Sequence, residues 1–419
     1  RSPLIVACGT DGVFAASDVP AVAKAGRVAY VLEDGDFARL TRGKIELFDG
    51  ALRPVVRETV ALEEEEVSPG KGEFRHFMRK EISEVPAAVL NSLPDLPKPE
   101  FSGVCKVLCQ PKYLHIVACG TAYHSGLCMK HAAEKFARVP TEVVVASEYR
   151  YAAPIVPPGT LTIAGSQSGE TADTLAAAAL AKSRGSVLIA VTNVAHSSLT
   201  RVADFVLPTH AGREIAVAAT KSFNAQLAVL YALAVQLAKT AKCCAPPLAG
   251  LPVLARETLA ASAGVASWTP YFQGARSVFF LGRGADRCAA LEGSLKLKEI
   301  SYLPSEGYAA GELKHGTLAL VDGRTPVVAV ACDEALADKT MNAVHEVYAR
   351  GAAVFLVTPF SALAQTKEVT ASVLIPRCEP AFSPILSVIP LQLLAYHVAL
   401  ALGKDPDKPR NLAKSVTVE

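Results

Sequence analysis

From Leu114 to the C-terminal region, short apolar runs alternate with Ala- and Leu-rich stretches of helical length, and this alternation constrains the fold more than any other feature. The runs are Leu114–Ala118, Glu142–Ala146, Leu161–Ala164, Ser186–Val191 and Phe205–Leu207. After a helical connector from Leu251 to Val265 they resume at Ser277–Leu281, Pro326–Ala331, Ala352–Val357 and Ser372–Ile375. Apolar runs of strand length separated by helices are the pattern of a parallel sheet, because each crossover lays a helix on one of its faces. Both cycles open alike, with Ile116-Val117-Ala118-Cys119-Gly120-Thr121 and with Val278-Phe279-Phe280-Leu281-Gly282-Arg283-Gly284. A strand that ends in Gly and runs into a helix, used twice, predicts a duplicated α/β unit: two tandem doubly wound domains of about 130–150 residues each. A chain of 419 residues is too long for one hydrophobic core.

The flanks differ in texture. Up to about Asp49, short apolar runs (Leu4–Ala7, Val28–Leu32) meet the turn signals Asp34-Gly35 and Asp49-Gly50, which reads as short strands and hairpins. Glu63–Glu66 with Pro69-Gly70 and Lys71-Gly72 reads as a linker, and Arg79–Leu93 as one helix stopped by Pro94, Pro97 and Pro99. The Pro-rich, polar end of the chain has the composition of a disordered tail. Ala211–Ala241 and Ser383–Gly403 approach membrane length. The first carries Arg213, Glu214 and Lys221, and Pro390, Gln392 and His397 interrupt the second, so both read as helices buried inside a large fold or a subunit interface. No signal peptide is seen at the N-terminus.

With a formal net charge of +2 the chain exerts no general pull on nucleic acid or an anionic membrane, so any anion site is local. Its ten cysteines form no disulfide framework and no zinc spacing. They read as reduced thiols of a cytoplasmic protein, and no cofactor is expected.

The strongest local chemical signal is Ser166-Gln167-Ser168-Gly169-Glu170-Thr171, between the apolar run ending at Ala164 and a helix from about Asp173. That placement aims backbone N–H groups and the positive end of a helix at one point, with three hydroxyls added. A phosphate monoester fits there without a metal. Walker A and GxGxxG spacings are absent, and plain helix capping needs fewer hydroxyls than this. A second constellation, Glu292, Lys296 and Glu299, shares one helix face at the start of the second unit. A solvated salt-bridge face is the commoner fate of such spacing. At the carboxyl end of a parallel strand it could instead move a proton between adjacent carbons of a sugar. His315, between Gly311 and Gly316 before the strand-like Thr317–Val321, is either simply exposed or a proton carrier.

Taken together, several longer segments resemble the glutamine–fructose-6-phosphate aminotransferase family end to end. They include Ser17-Asp18-Val19-Pro20-Ala21-Val22, Leu32-Glu33-Asp34-Gly35-Asp36, the Ser166–Thr171 loop and Leu295-Lys296-Leu297-Lys298-Glu299-Ile300. Further on come Ala310-Gly311-Glu312-Leu313-Lys314-His315-Gly316, Pro390–His397 and Pro409–Glu419. The resemblance implies two sugar isomerase (SIS) domains, at 106–245 and 270–405, joined by a helical connector at 246–269. Before them would lie a glutaminase remnant (1–57) and a linker with a helix (58–105), and after them a catalytic tail (406–419).

The resemblance also implies that Cys119, Gly120, Thr121, Ser166, Gln167, Ser168, Thr171, Val217 and Ala413 contact fructose 6-phosphate. Lys414 would form a Schiff base with the open-chain ketose, Glu299 would shuttle a proton between C1 and C2 beside Lys296, and His315 would assist ring opening from the neighbouring subunit of a homodimer. The implied product is glucosamine 6-phosphate, made with ammonia from glutamine. Three positions depart from the family pattern: Ala122 and Ala219 stand where Ser is usual, and Thr317 where Pro is usual. Arg1 would fall within the last third of the glutaminase domain, so this polypeptide is not expected to hydrolyse glutamine, and its first strands are expected to be poorly ordered at their unpaired edges. A non-aminating hexose-phosphate isomerase, or a sugar-phosphate sensor without catalysis, are the other readings. Retention of Glu299, His315 and Lys414 favours an enzyme.

Overall fold

The computed structural model describes residues 4–9, 12–16, 22, 28–57, 59–61, 70–93, 103–104 and 111–416. Ser17–Ala21, the Glu63–Glu66 run, Cys105, Cys109 and Thr417–Glu419 lie outside the described residues.

The N-terminal segment forms strands β1 (Leu4–Gly9), β2 (Gly12–Ala16), β3 (Val28–Leu32), β4 (Phe37–Thr41), β5 (Lys44–Phe48) and β6 (Thr59–Ala61). Where poor order was expected, these described residues pair in an antiparallel sheet of order β2-β1-β3-β6, and β4 and β5 make a hairpin. The hairpin turns at Arg42-Gly43, where φ of Gly43 is +77°, the left-handed backbone that a two-residue turn demands.

Next come two helices in place of one, α1 (Phe77–Ser83) and α2 (Val85–Ser92). Pro86 explains the break at Glu84, since it lacks the N–H that would continue the ladder and sits acceptably in the first turn of a new helix.

The first α/β unit runs β7 (Tyr113–Ala118), α3 (Gly120–Ala132), β8 (Thr141–Val145), β9 (Thr160–Gly165), α4 (Ala172–Ser183), β10 (Val187–Thr192), β11 (Phe205–Pro208) and α5 (Lys221–Thr240). Helix α6 (Leu251–Ala261) and a 3₁₀ segment to Tyr271 lead to the second unit. That unit comprises β12 (Val278–Gly282), α7 (Ala285–Ser301), β13 (Ser305–Ala309), β14 (Val327–Val330), α8 (Glu334–Tyr348), β15 (Val354–Thr358), β16 (Ala371–Leu374) and α9 (Pro384–Ala401).

Every strand pair in both sheets is parallel. The orders are β8-β7-β9-β10-β11 and β13-β12-β14-β15-β16, which is 2-1-3-4-5 in each unit. The duplication inferred from the two strand–Gly openings is therefore a duplication of topology. In this order the chain reverses direction between the first and third strands, leaving a crevice at their carboxyl ends where ligands bind.

The sheet strands bury on both faces, as β9 and β14 do along their whole length. Helices α5, α7 and α9 form the apolar seam of the molecule with α3 and α6. Segment 380–401 is the one helix among the described residues long and apolar enough to cross a membrane, and 83% of its apolar window is buried inside the protein.

Two further expectations are corrected. Thr317–Leu320 forms a 3₁₀ turn and not a strand, closed by Ala319 N–H to the Gly316 carbonyl after Gly316 takes φ +127°. The tail as far as Val416 is folded onto the first unit: Asp407 O accepts from Val217 N, and Val416 O from Ala172 N. Composition cannot report such contacts, because they come from backbone groups and from single side chains.

Candidate active site

The Ser166–Thr171 loop leaves β9 at the crevice of the first sheet, beside the β7–α3 turn. Ser166 Oγ lies 2.9 Å from Thr171 Oγ1 and accepts the Gly169 N–H, while Ser168 Oγ accepts the Glu170 N–H. The Gln167 carbonyl accepts the Asn193 N–H, tying the loop to the end of β10. Thr171 is the N-cap of α4, yet its side chain makes no capping bond. The hydroxyl cluster thus turns on itself around a point ahead of the helix, which is not what plain capping would produce. Gly169 is obligatory here. Its φ is +67°, and a Cβ would lie 2.0 Å from Ser197 Oγ.

The β7–α3 turn supplies the opposite wall. Gly120 has φ +54°, and Thr121 Oγ1 donates to Glu292 Oε1 at 2.9 Å and accepts from Lys296 Nζ at 3.0 Å. His124 Nδ1 lies 2.7 Å from Glu292 Oε2. On α7, Lys296 pairs with Glu292 at 3.3 Å and with Glu299 at 2.7 Å. The side chains of Glu292 and Lys296 are 0% exposed, so the face that spacing left open as a solvated salt-bridge row is sealed between the two α/β units.

Burial alone would lower the Lys296 pKa, but Glu292 and Glu299 reverse this and raise it, keeping the ammonium charged. Burial likewise pushes Glu292 up, and the charge of Lys296 with the His124 hydrogen bond more than offsets it, leaving its pKa below the ordinary value. Glu299, partly exposed, is the member of the row that reaches outward.

Lys414 arrives from the tail. Its Nζ donates to Glu214 Oε2 at 2.5 Å and to the Ala216 carbonyl at 2.8 Å, and Val416 holds the first N–H of α4, directly after the hydroxyl loop. Glu214 is fully buried and also accepts from Thr220 N and from Ser222 N and Oγ. Burial raises its pKa, and the Lys414 ammonium with these donors lowers it further than that, for a net depression. Val217 neighbours this pocket through its bond to Asp407, and Ala413 is exposed just before Lys414.

Cys119 is half-buried with its thiol pKa raised by burial, which fits a wall residue and not a nucleophile. Ala122 is buried, its Cβ 3.7 Å from where a Cβ on Gly165 would stand, under the loop. His315 is exposed at the end of a 3₁₀ turn, its backbone N–H donating to the Glu312 carbonyl.

Sequence reasoning missed His124 and Glu214. Glu214 was visible as a lone carboxylate in an apolar stretch, a signal that a buried partner must exist.

The second unit has the same crevice but fills it. The Asp286 carboxylate accepts the N–H groups of Cys332 and Asp333 and the Ser383 hydroxyl. Burial, partly offset by those bonds, pushes its pKa up to about 6. A protein carboxylate thus stands after the third strand of the second unit, where the first unit presents the hydroxyls of the Ser166–Thr171 loop.

Comparison with known proteins agrees with this architecture. The SIS domain family matches residues 108–236 and 271–402. A glutamine–fructose-6-phosphate aminotransferase [isomerizing] from Clostridium tetani is 43% identical over 440 residues, covering 100% of this chain and 71% of the relative. The enzyme of that name from Aquifex aeolicus is 43% identical over 419 residues, covering 100% and 70%. Among solved structures, the C-terminal domain of glucosamine-fructose-6-phosphate aminotransferase from Francisella tularensis superposes with a TM-score of 0.77 at 37% identity, covering 82% of this chain and 100% of that one. With two SIS units and this degree of identity along its whole length, the chain belongs to the glutamine–fructose-6-phosphate aminotransferase family.

Proposed function

We propose that this chain carries the sugar-phosphate chemistry of its family: it binds fructose 6-phosphate and converts it, with ammonia derived from glutamine, into glucosamine 6-phosphate. What supports the reading is the hydroxyl cluster at the end of β9, the buried Lys296 that pairs with Glu299 and bonds Thr121 of the neighbouring turn, and the tail lysine Lys414, whose neighbour Val416 is bonded to the start of α4. Ser166, Gln167, Ser168 and Thr171 hold the phosphate, with Cys119, Gly120, Thr121, Val217 and Ala413 lining the sugar. The ring opens with help from His315, which we read as reaching in from the second subunit of a homodimer because its side chain is exposed.

The Lys414 amine then adds to C2 of the open-chain ketose and water leaves, giving a Schiff base. Ammonia displaces the lysine nitrogen at C2. Glu299 removes a proton from C1 and returns it to C2 while the O1 hydroxyl proton passes to the imine nitrogen, which leaves an aldehyde at C1 and an amine at C2. Lys296 holds Glu299 in place and balances its charge. We place this chemistry in the cytoplasm, in keeping with the reading of the cysteines as reduced thiols. The test is direct: supply fructose 6-phosphate and an ammonium salt, and assay glucosamine 6-phosphate. Interconversion of hexose phosphates without any amino sugar would favour the plain isomerase, and binding without turnover the sensor.

A further inference from the structure

Glu81 belongs to α1, upstream of both SIS matches, and no part of the chemistry above uses it. It is nevertheless 2% exposed and directed at the Lys414 pocket. Its Oε1 accepts the backbone N–H groups of Ile215 and Ala216. Those two residues follow Glu214, and the carbonyl of Ala216 is one of the two groups that grip Lys414 Nζ. One peptide segment is thus held by Glu81 on its N–H side and holds the lysine on its C=O side. The other oxygen of Glu81, Oε2, is buried without a hydrogen-bond partner.

The charged groups around it are few. Glu214 comes from the loop before α5 and Lys414 from the tail. Lys221 of α5 is occupied by Glu84, and Asp407 of the tail is occupied by the Phe77 and Met78 N–H groups at the start of α1.

We propose that Glu81 is a positioning residue for Lys414: it fixes the Glu214–Ala216 segment that grips the lysine, and its own charge governs how readily the amine is released for attack. The inference rests on the Schiff-base role of Lys414. The amine must shed a proton before it adds to a carbonyl, and Glu214 already holds it with one negative charge. A second carboxylate alongside would add a further attraction on the bound ammonium, whereas a neutral carboxyl would not. Burial first, and then the charge of Glu214, push Glu81 up to about 7, partly countered by its backbone hydrogen bonds and by Lys414. Its charge therefore changes across the range in which such an enzyme works. The unpaired Oε2 leans the same way, since an ionised oxygen without a donor is the costlier state.

Glutamine separates geometry from charge, because its amide oxygen still accepts both N–H groups while carrying no charge. The experiment measures the rate of borohydride-trapped adduct on Lys414 with fructose 6-phosphate, from about pH 6 to about pH 8.5, which brackets that titration. The wild type, Glu81→Gln and Glu81→Ala are compared, each with a melting curve as a folding control.

The wild-type rate should flatten above about pH 7. Glu81→Gln should keep rising, overtaking the wild type by roughly tenfold at the alkaline end and matching it at the acid end. Glu81→Ala, with the clamp gone, should be slower at every pH. Superimposable profiles for the wild type and Glu81→Gln, with Glu81→Ala unimpaired, would overturn the inference. Failure of the wild type to form any adduct would instead refute the Schiff-base reading, so the two failures are distinguishable.

Discussion

Replacing Glu292 with Gln is the perturbation that probes the buried row most cleanly. The carboxylate sits between the two units, 0% exposed, with Thr121 Oγ1 at 2.9 Å, His124 Nδ1 at 2.7 Å and Lys296 Nζ at 3.3 Å. An amide keeps an oxygen for Thr121 but leaves the Lys296 ammonium with Glu299 as its one remaining counter-charge. Removing one partner of a buried ion pair costs about 3–5 kcal/mol when the other charge is left uncompensated; Glu299 at 2.7 Å still pairs with Lys296, so the loss should fall near the low end of that range.

Urea unfolding can be followed through the single tryptophan. Trp268 is buried and stacks on Phe355 of β15 at 4.9 Å, so its fluorescence reports the second unit, to which α7 belongs. The double variant Glu292→Leu with Lys296→Met should recover most of the lost stability while abolishing amino-sugar formation, since an apolar pair of similar size removes both charges together.

The pH dependence has a defined sign. The folded pKa of Glu292 is depressed, so its contribution is present above the unfolded value near 4.5 and fades as pH falls through the lower folded value. The gap between the wild type and Glu292→Gln should be full at neutral pH and shrink in acid. A loss below about 1 kcal/mol, the size expected of a surface pair, would refute the picture of a sealed row.

Two further substitutions address the cradle. Gly169→Ala should abolish binding of fructose 6-phosphate while leaving the fold intact, because the new Cβ would meet Ser197 Oγ and the loop must move; calorimetry with a melting-curve control checks it. Ala122→Ser should tighten that binding by roughly tenfold if the restored hydroxyl reaches the phosphate, a gain of about 1.4 kcal/mol measurable by the same titration. Unchanged affinity would place the phosphate away from the β7–α3 turn.

Much of the architecture was legible because it is written in local patterns. Continuous apolar runs such as Leu161–Ala164 and Ala352–Val357 mark strands buried on both faces; the structure extends the first to Thr160–Gly165 and shifts the second to Val354–Thr358. Strand β13, Ser305–Ala309, was not legible: Ser-Glu-Gly-Tyr-Ala has no apolar run, and it is recruited by its neighbour β12. The hydroxyl loop could be read because its donors lie within six residues. That the second crevice is blocked by Asp286 could not, since Asp286, Cys332 and Ser383 come together in space alone.

Lys414 shows the same limit. Nothing within the tail marks it, and its partner Glu214 lies two hundred residues away. The burial of Glu292 and Lys296 was equally hidden, since helical spacing is identical for a wet face and a sealed one.

The central claim is that Lys414 is the amine that captures the sugar. Incubation with fructose 6-phosphate and borohydride, followed by peptide mass mapping, should find one reduced hexose-phosphate adduct, on Lys414 and absent from Lys414→Arg. Sugar-phosphate binding with no adduct, or with the adduct on Lys296, would contradict the account.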